Sequence, residues 1–140
     1  MGHGYMLYTI IDLYSRWAYA EVVERIGANQ SVLFVKHAQQ KAPFQFEMVQ
    51  TDNGAEFSIW FTHALKEMTI DHRHSRVRQS NDNAHIERFN RTIQEECLDQ
   101  IVPTILSFRK AIPPYLKYYN TERLHMGINF KTPAEMFPSY

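Results

Sequence analysis

Apolar and polar residues fall in blocks along this chain, and the blocks predict its elements. Tyr5 to Ile11 and Trp17 to Val23 are rich in Tyr, Ile, Val and Trp, which suit a pleated, half-buried surface, and the polar stretch Asp12-Leu13-Tyr14-Ser15-Arg16 between them marks a reversal. The pair predicts a β-hairpin. From Asn29 or Ser31 to Lys41, Val32, Val35 and Ala38 recur at helical spacing behind a polar cap, and the run stops before Pro43. Phe44 to Thr51 reads as a short strand ending in Asp52-Asn53-Gly54. Phe57, Trp60, Phe61, Ala64, Leu65 and Met68 then mark one face of a helix, and Thr69 to His72 a further short strand. A strand-helix-strand unit this compact makes a right-handed parallel crossover, so the sheet is expected to be mixed.

His72 to Asp82 carries Arg73, Arg76 and Arg78 without apolar periodicity and reads as an exposed basic loop. Helix resumes near Asp82 or Asn83. There Ile86, Phe89, Ile93 and Cys97 form an apolar stripe, with Glu87, Asn90, Arg91 and Gln94 on its flank. A last helix, starting near Thr104 or Ser107, carries Phe108, Ile112, Tyr115, Leu116 and Tyr119, with Pro113-Pro114 placed to break or kink it. The remainder is loop-like, and no repeat, low-complexity tract or linker interrupts the chain.

With 140 residues, 44% of them hydrophobic, the chain has enough for a real core and too little for two ordinary domains, so residues 1–140 are read as one α/β domain. Fifteen basic and fifteen acidic residues balance, which excludes a basic or acidic tail and confines any nucleic-acid contact to a local patch. The single Cys97 excludes an intramolecular disulfide framework and a four-thiolate zinc site, and points to a reducing compartment, the cytoplasm. Apolar runs such as Met6 to Ile11 fall far short of the roughly 20 residues of a membrane helix, and the start lacks a signal-peptide pattern. A soluble chain with no membrane partner is the expectation.

Two carboxylates stand where a backbone presents side chains at a rim. Asp52 ends a strand before a turn containing Gly54, and Glu87 lies in the first turns of a helix; hard oxygen ligands at such positions suit Mg²⁺ or Mn²⁺. Taken alone, the same residues also read as a turn aspartate and a glutamate favoured by the helix dipole. His72 and His74 alternate as zinc ligands on a strand do, but without a third partner nearby they read as solvated neighbours of the basic loop. Trp60 and Phe61 read as core. Asn83, one turn before Glu87, reads as a helix cap. Arg73, Arg76, Arg78, Arg88 and Arg91 are placed either to hold phosphates or to form a solvated basic face.

The wording around the two acids is more specific than the acids themselves. Thr51-Asp52-Asn53-Gly54-Ala55-Glu56-Phe57 and Ser80-Asn81-Asp82-Asn83-Ala84-His85-Ile86-Glu87-Arg88-Phe89-Asn90-Arg91-Thr92 resemble the catalytic core of Asp-Asp-Glu transposases and retroviral-type integrases. The 34 residues between Asp52 and Glu87 fit that family's spacing of its second and third catalytic acids. Tyr119-Asn120-Thr121-Glu122-Arg123-Leu124-His125 and Lys131-Thr132-Pro133-Ala134-Glu135 resemble the tail of bacterial insertion-sequence members, with Leu124 where a Pro is usual. The resemblance covers Tyr5 to Met136. It implies a ribonuclease-H-like mixed sheet flanked by helices, and two Mg²⁺ or Mn²⁺ ions held by three acids for in-line attack on a phosphodiester. It also implies DNA partners, both transposon ends and target, a homo-oligomer, and a role for Asn83 in orienting phosphate beside its cap.

The resemblance assigns Asp52 and Glu87 to catalysis and metal binding, and it makes Asn83, Arg76, Arg78, Arg88 and Arg91 candidate DNA contacts. Asp12 is not taken as the first acid: it matches an acidic position at the end of the family's second strand, whereas the first catalytic Asp lies one strand earlier. The central first strand is therefore expected to be absent, leaving a weakly stable monomer or a swapped oligomer, and the isolated chain is expected to be inactive. The alternatives are a non-catalytic remnant that binds DNA or associates subunits, and a simple nuclease of the same fold. The side chains of Tyr118, Tyr119, Asn120, Arg123 and His125 are left with two readings, packing of the last helix or contact with DNA.

Overall fold

The computed structural model describes residues 5–52, 54–75 and 83–137. Its elements run β1 (Met6–Ile11), β2 (Ala18–Val23), α1 (Ala28–Lys41), β3 (Met48–Thr51), α2 (Ile59–Glu67), β4 (Asp71–His74), α3 (Ala84–Glu96) and α4 (Ile105–Thr121), with short 3₁₀ turns between and after them. They gather into two compact units, residues 25–84 and the remainder on either side. Among the described residues, no helix is long and apolar enough to cross a membrane.

In the first unit, β1 and β2 form the expected antiparallel hairpin, pairing Met6 with Val23 through Ile11 with Ala18. The reversal is closed by Asp12, whose Oδ2 accepts from both the backbone N–H and the hydroxyl of Ser15, at 2.9 and 2.7 Å. Against this hairpin α3 lays Phe89, Ile93 and the following Cys97, and α4 adds Phe108, Ile112, Leu116 and Tyr119, so both helical stripes read from the sequence make one core with Ala18, Ala20 and Val22. Thr104 caps α4 by accepting from the Ser107 N–H. Pro113 and Pro114 do not break it: both are exposed, as are Arg109 and Lys110, so the carbonyls the prolines leave without an N–H partner are on the wet side of the helix. The tail is less loop-like than expected. Thr132 and Glu135 form a reciprocal capping box with Pro133 at the first helical position, which gives the Thr-Pro-Ala-Glu wording a structural reason.

In the second unit, β3 and β4 pair in parallel, Met48 with Asp71 through Thr51 with His74, and α2 makes the crossover. The described strands thus pair as two separate two-stranded sheets, one antiparallel and one parallel. Four details differ from the sequence reading. The cap of α1 is Gly27, whose carbonyl accepts from the N–H and the hydroxyl of buried Ser31, rather than a polar side chain. Strand β3 begins only at Met48, because Phe44 and Phe46 give their backbone groups to the Gln39 side-chain amide instead of a ladder. Strand β4 is displaced two residues, since Thr69 closes α2 in a left-handed conformation (φ 64°) with its N–H on Lys66 and that of Ile70 on Leu65. Phe61 is core, but Trp60 is half-exposed; one residue off the Phe61, Ala64 and Leu65 stripe, its Nε1–H reaches Asn29 Oδ1 at 3.2 Å.

Candidate active site

Asp52 follows the last residue of β3 with its side chain exposed. Its Oδ1 accepts the Gly54 N–H at 2.8 Å, an aspartate turn that fixes the carboxylate at the C-terminal end of a parallel strand pair. Gly54 leaves room for two acids at once. A Cβ there would lie 2.8 Å from Glu56 Oε1 and 3.0 Å from Asp52 Oδ1, so both carboxylates converge on the space a side chain would fill. Glu56 was passed over in the reading of the sequence as part of the motif's wording, and its position two residues after a glycine was the signal.

Beneath Asp52 the strand pair is tied by polar side chains. Thr51 Oγ1 donates to the Asp52 carbonyl at 3.1 Å and meets His72 Nε2 at 2.7 Å, while His72 Nδ1 meets Thr62 Oγ1 at 2.7 Å. His72 thus bridges Thr51 of β3 and Thr62 of α2, whose hydroxyl also reaches the Ser58 carbonyl at 3.3 Å. Burial, and then the neighbouring His74, hold the His72 pKa below its ordinary value. His74 Nε2 reaches the Phe57 carbonyl at 3.0 Å. Both histidines are thus strand residues: His72 is half-buried between the two threonines, which corrects its reading as a solvated loop neighbour, whereas His74 is exposed as read. Ser75, whose N–H bonds the Thr51 carbonyl, donates its hydroxyl to Asn83 Oδ1 at 2.8 Å, and Arg73 Nε donates to Gln50 at 2.7 Å. The Asn83 side chain is thus tied to Ser75, the residue that follows β4.

Glu87 is exposed in the first turns of α3, in the other unit. At about 100° per residue, Asn90, Arg91 and Gln94 share its flank of the helix. Asn90 Oδ1 accepts from Thr9 Oγ1 of β1 at 2.6 Å, which fixes this flank against the hairpin. Arg88 is exposed on the side of the helix away from the apolar stripe, between His85 and Arg91, each three residues from it. Arg76 and Arg78 lie outside the described residues. Among the described residues, no group of three or more His, Cys, Asp or Glu is close enough together to hold a metal ion.

The C-terminal residues with two readings resolve largely into packing. Tyr119 is buried, 5.0 Å from the Phe89 ring and 4.5 Å from His125, and Asn120 is buried against Ala18. Arg123 makes a two-pronged ion pair with Glu96, with Nη2 to Oε2 at 2.7 Å, and lies over the Tyr119 ring. Tyr118 remains exposed.

Two family models, each described as "Integrase core domain", match residues 1–80 and 68–133. The chain is 27% identical to "Putative integrase ORF3" of Spiroplasma virus SpV1-C74 over 96% of its own length and 42% of that protein. It is 28% identical to "Putative transposase InsK for insertion sequence element IS150" of Escherichia coli (strain K12), over 96% of its length and 49% of that protein. It therefore spans less than half the length of these curated relatives. Among solved structures, the catalytic core domain of BIV integrase superposes with a TM-score of 0.70 at 18% identity, over 95% of this chain and 85% of that one, a likeness of fold.

Proposed function

The chain belongs to the integrase core domain family, and from that membership we propose that it is the catalytic core of a metal-dependent DNA transposase or integrase, with Asp52 and Glu87 as its metal-holding carboxylates. The observation that carries the reading is the placement of Asp52: an exposed carboxylate held at the end of a parallel strand pair, with Glu56 beside it across Gly54. That donor set is all hard oxygen, which fits Mg²⁺ or Mn²⁺ completed by water and substrate phosphate. When bound, the ions supply an activated water or 3′-hydroxyl and stabilise the leaving oxygen. The chain's own part is to hold the acids. The Gly54 N–H orients Asp52, and the Thr51–His72–Thr62 chain stiffens the strand end beneath it.

In the reaction, the attacking oxygen forms a bond to phosphorus as the bond to the leaving 3′-oxygen breaks. Arg91, on the Glu87 flank, is placed to steady the phosphate by charge. Asp12 is not the third acid on this reading, because its Oδ2 is committed to two Ser15 donors, and the chain by itself is inactive until a third carboxylate is supplied. DNA, as transposon ends and target, is the substrate, and a homo-oligomer is the working form.

The test is Mn²⁺-dependent nicking of supercoiled plasmid by this chain, by Asp52→Asn and Glu87→Gln, and by a form extended upstream with one Asp-bearing strand. Nicking by the extended form alone, lost with either substitution, is expected. Nicking by the short chain that requires Asp12 overturns the account of the third acid, and nicking that ignores Asp52 and Glu87 overturns the site. DNA binding without nicking by any form leaves the remnant reading instead, and a nicking form that never joins a 3′-hydroxyl to a new strand is a nuclease.

A further inference from the structure

Of the four described residues other than glycine with a left-handed backbone, three lie in two loops of the hairpin-bearing unit. Arg16, at φ 66°, closes the turn between β1 and β2, and Asn129 and Phe130, at φ 59° and 61°, follow one another in the turn after α4. Asparagine tolerates this conformation, whereas long and bulky side chains such as arginine and phenylalanine are disfavoured in it. Hydrogen bonds enforce it all the same. The Arg16 N–H bonds the Asp12 carbonyl and the Asp12 N–H the Trp17 carbonyl, both at 2.8 Å. In the second loop the His125 carbonyl accepts the Phe130 N–H at 2.8 Å, and the His125 N–H bonds the Lys131 carbonyl at 3.0 Å. Strain held in this way at positions that do not build the core calls for an explanation beyond the turns themselves.

The two loops touch. A Cβ on Gly127 would meet Arg16 Nη2 at 3.3 Å and Nε at 3.5 Å, so the guanidinium rests on the glycine that follows Met126. What the loops display around that contact is apolar and cationic. Tyr14 is 67% exposed, Phe130 62% and Met126 77%, and each ring closely precedes a cation in the chain, Tyr14 before Arg16 and Phe130 before the exposed Lys131. The acids of these segments are mostly spent on their own turns: Asp12 accepts from Ser15, and Glu135 from the Thr132 N–H. Glu122, exposed at the end of α4, is the one not so engaged. Among the described residues, the ion pairs are His63 with Glu67 and Arg123 with Glu96, and neither involves Arg16 or Lys131.

We infer that these two loops form a site for an unpaired stretch of DNA, with Tyr14 and Phe130 stacking on bases and Arg16 and Lys131 meeting the phosphates beside them. Exposed rings alternating with free cations suit a single strand, because every base offers a face to a ring and the backbone offers a charge at each step. Met126 adds apolar surface against the stacked bases. The inference rests on the proposed function for DNA as the ligand, and it assigns residues outside the carboxylate set. Tyr, Phe, Met and Arg also suit a contact between copies of this chain. The free charge of the two loops, two cations against one acid, favours a polyanion instead, and self-association becomes an outcome of the test.

The test is fluorescence anisotropy over a salt series with a labelled oligothymidylate of about 12 bases, and with a duplex of equal length, using the chain, Phe130→Asn, Phe130→Tyr, Tyr14→Ala and Lys131→Gln. The chain is expected to bind the single strand more tightly than the duplex. Phe130→Asn suits the left-handed backbone, so it is expected to unfold no lower than the parent while binding the single strand about tenfold more weakly, and Phe130→Tyr, which keeps a ring, is expected to bind as the parent does. Tyr14→Ala is expected to weaken binding about tenfold. Lys131→Gln is expected to lower the slope of log affinity against log salt by about 0.7, the share of one phosphate on a single strand. Unchanged affinity in both Phe130→Asn and Tyr14→Ala overturns the site, as does a chain that prefers the duplex or binds no single strand. Sedimentation of the same proteins covers the alternative: a parent that self-associates, with ring variants that dissociate yet keep single-strand affinity, makes the loops an interface between copies and overturns the site. None of these outcomes bears on the carboxylates, and Asp52-dependent nicking decides separately whether the proposed function survives.

Discussion

The side-chain amide of Asn120 closes both backbone groups of Ala18: Oδ1 accepts the Ala18 N–H at 3.0 Å and Nδ2 donates to the Ala18 carbonyl at 2.9 Å. Asn120 is nearly the last residue of α4, and Ala18 is the first of β2, fully buried. The amide thus does for the end of the hairpin what a neighbouring strand would do, and it holds the C-terminal helix in register with the N-terminal sheet. Asn120→Ala removes the partners of two buried backbone groups and is expected to cost about 2–4 kcal/mol. Asn120→Asp is expected to fare little better, because an oxygen then faces the Ala18 carbonyl. Urea unfolding measures both, and a loss below about 0.5 kcal/mol for the alanine variant would remove the clamp from the account.

Thr69 offers the opposite sign. It is a β-branched residue at φ 64°, the position after a helix where glycine is usual, and the closure around it is complete: its N–H reaches Lys66, the Ile70 N–H reaches Leu65, and Ile70 is buried. Thr69→Gly relieves the strain at some cost in chain entropy, so a gain of up to about 1 kcal/mol is expected. A loss of stability in thermal unfolding would show that the threonine side chain contributes more than its backbone costs.

These two positions illustrate what the sequence made legible. Periodicity exposed the hairpin, all four helices and the stripes of α3 and α4, because each buries one face and the spacing of that face is local information. The displaced start of β3 was hidden, since it depends on Gln39 reaching across to Phe44 and Phe46. The start of β4 was hidden for a similar reason: nothing in Met68-Thr69-Ile70 announces a left-handed threonine. At the candidate site, motif wording singled out Asp52 and Glu87, but the convergence of Glu56 on Gly54 and of Arg16 on Gly127 are facts about space that a side chain would fill. Arg88 and Arg91 read alike in sequence, and, three residues apart, they share the exposed side of α3.

Gly54 is expected to matter through the carboxylates it admits. Its own backbone is extended, at φ −63° and ψ 152°, and tolerates any residue, so Gly54→Ala leaves the fold intact. The added Cβ displaces Glu56 and presses on Asp52, both within 3.0 Å of it. In an active, upstream-extended form, about a tenfold loss of Mn²⁺-dependent nicking is expected, the scale of misplacing a group that must be held in geometry. Thermal unfolding should stay near that of the parent. Full nicking activity would mean that the acids at this turn are not held for catalysis.

The pH dependence of stability follows from two histidines and one glutamate. Burial holds the pKa of His125 below its ordinary 6.5, with the Tyr119 carbonyl opposing, the charges of Arg123 and Arg16 adding to the depression and Glu96 opposing it. His72 is lowered likewise by burial and His74. A histidine whose folded pKa is depressed is protonated first in the unfolded chain, so its contribution to stability is whole above about pH 7 and is lost as pH falls from 6.5 toward the folded pKa. Glu96 is lowered chiefly by its hydrogen bond with Arg123, with burial opposing and the Tyr115 hydroxyl helping, so its contribution persists to lower pH and is lost below about 4.5. Thermal midpoints should therefore be level above pH 7, decline as pH falls below about 6.5, and fall again below about 4.5. His72→Gln is expected to flatten the first decline, because glutamine keeps polar atoms near Thr51 and Thr62 without a proton to bind. A profile that rises on acidification from pH 7 to 5 would reverse the sign and remove His125 and His72 from the account.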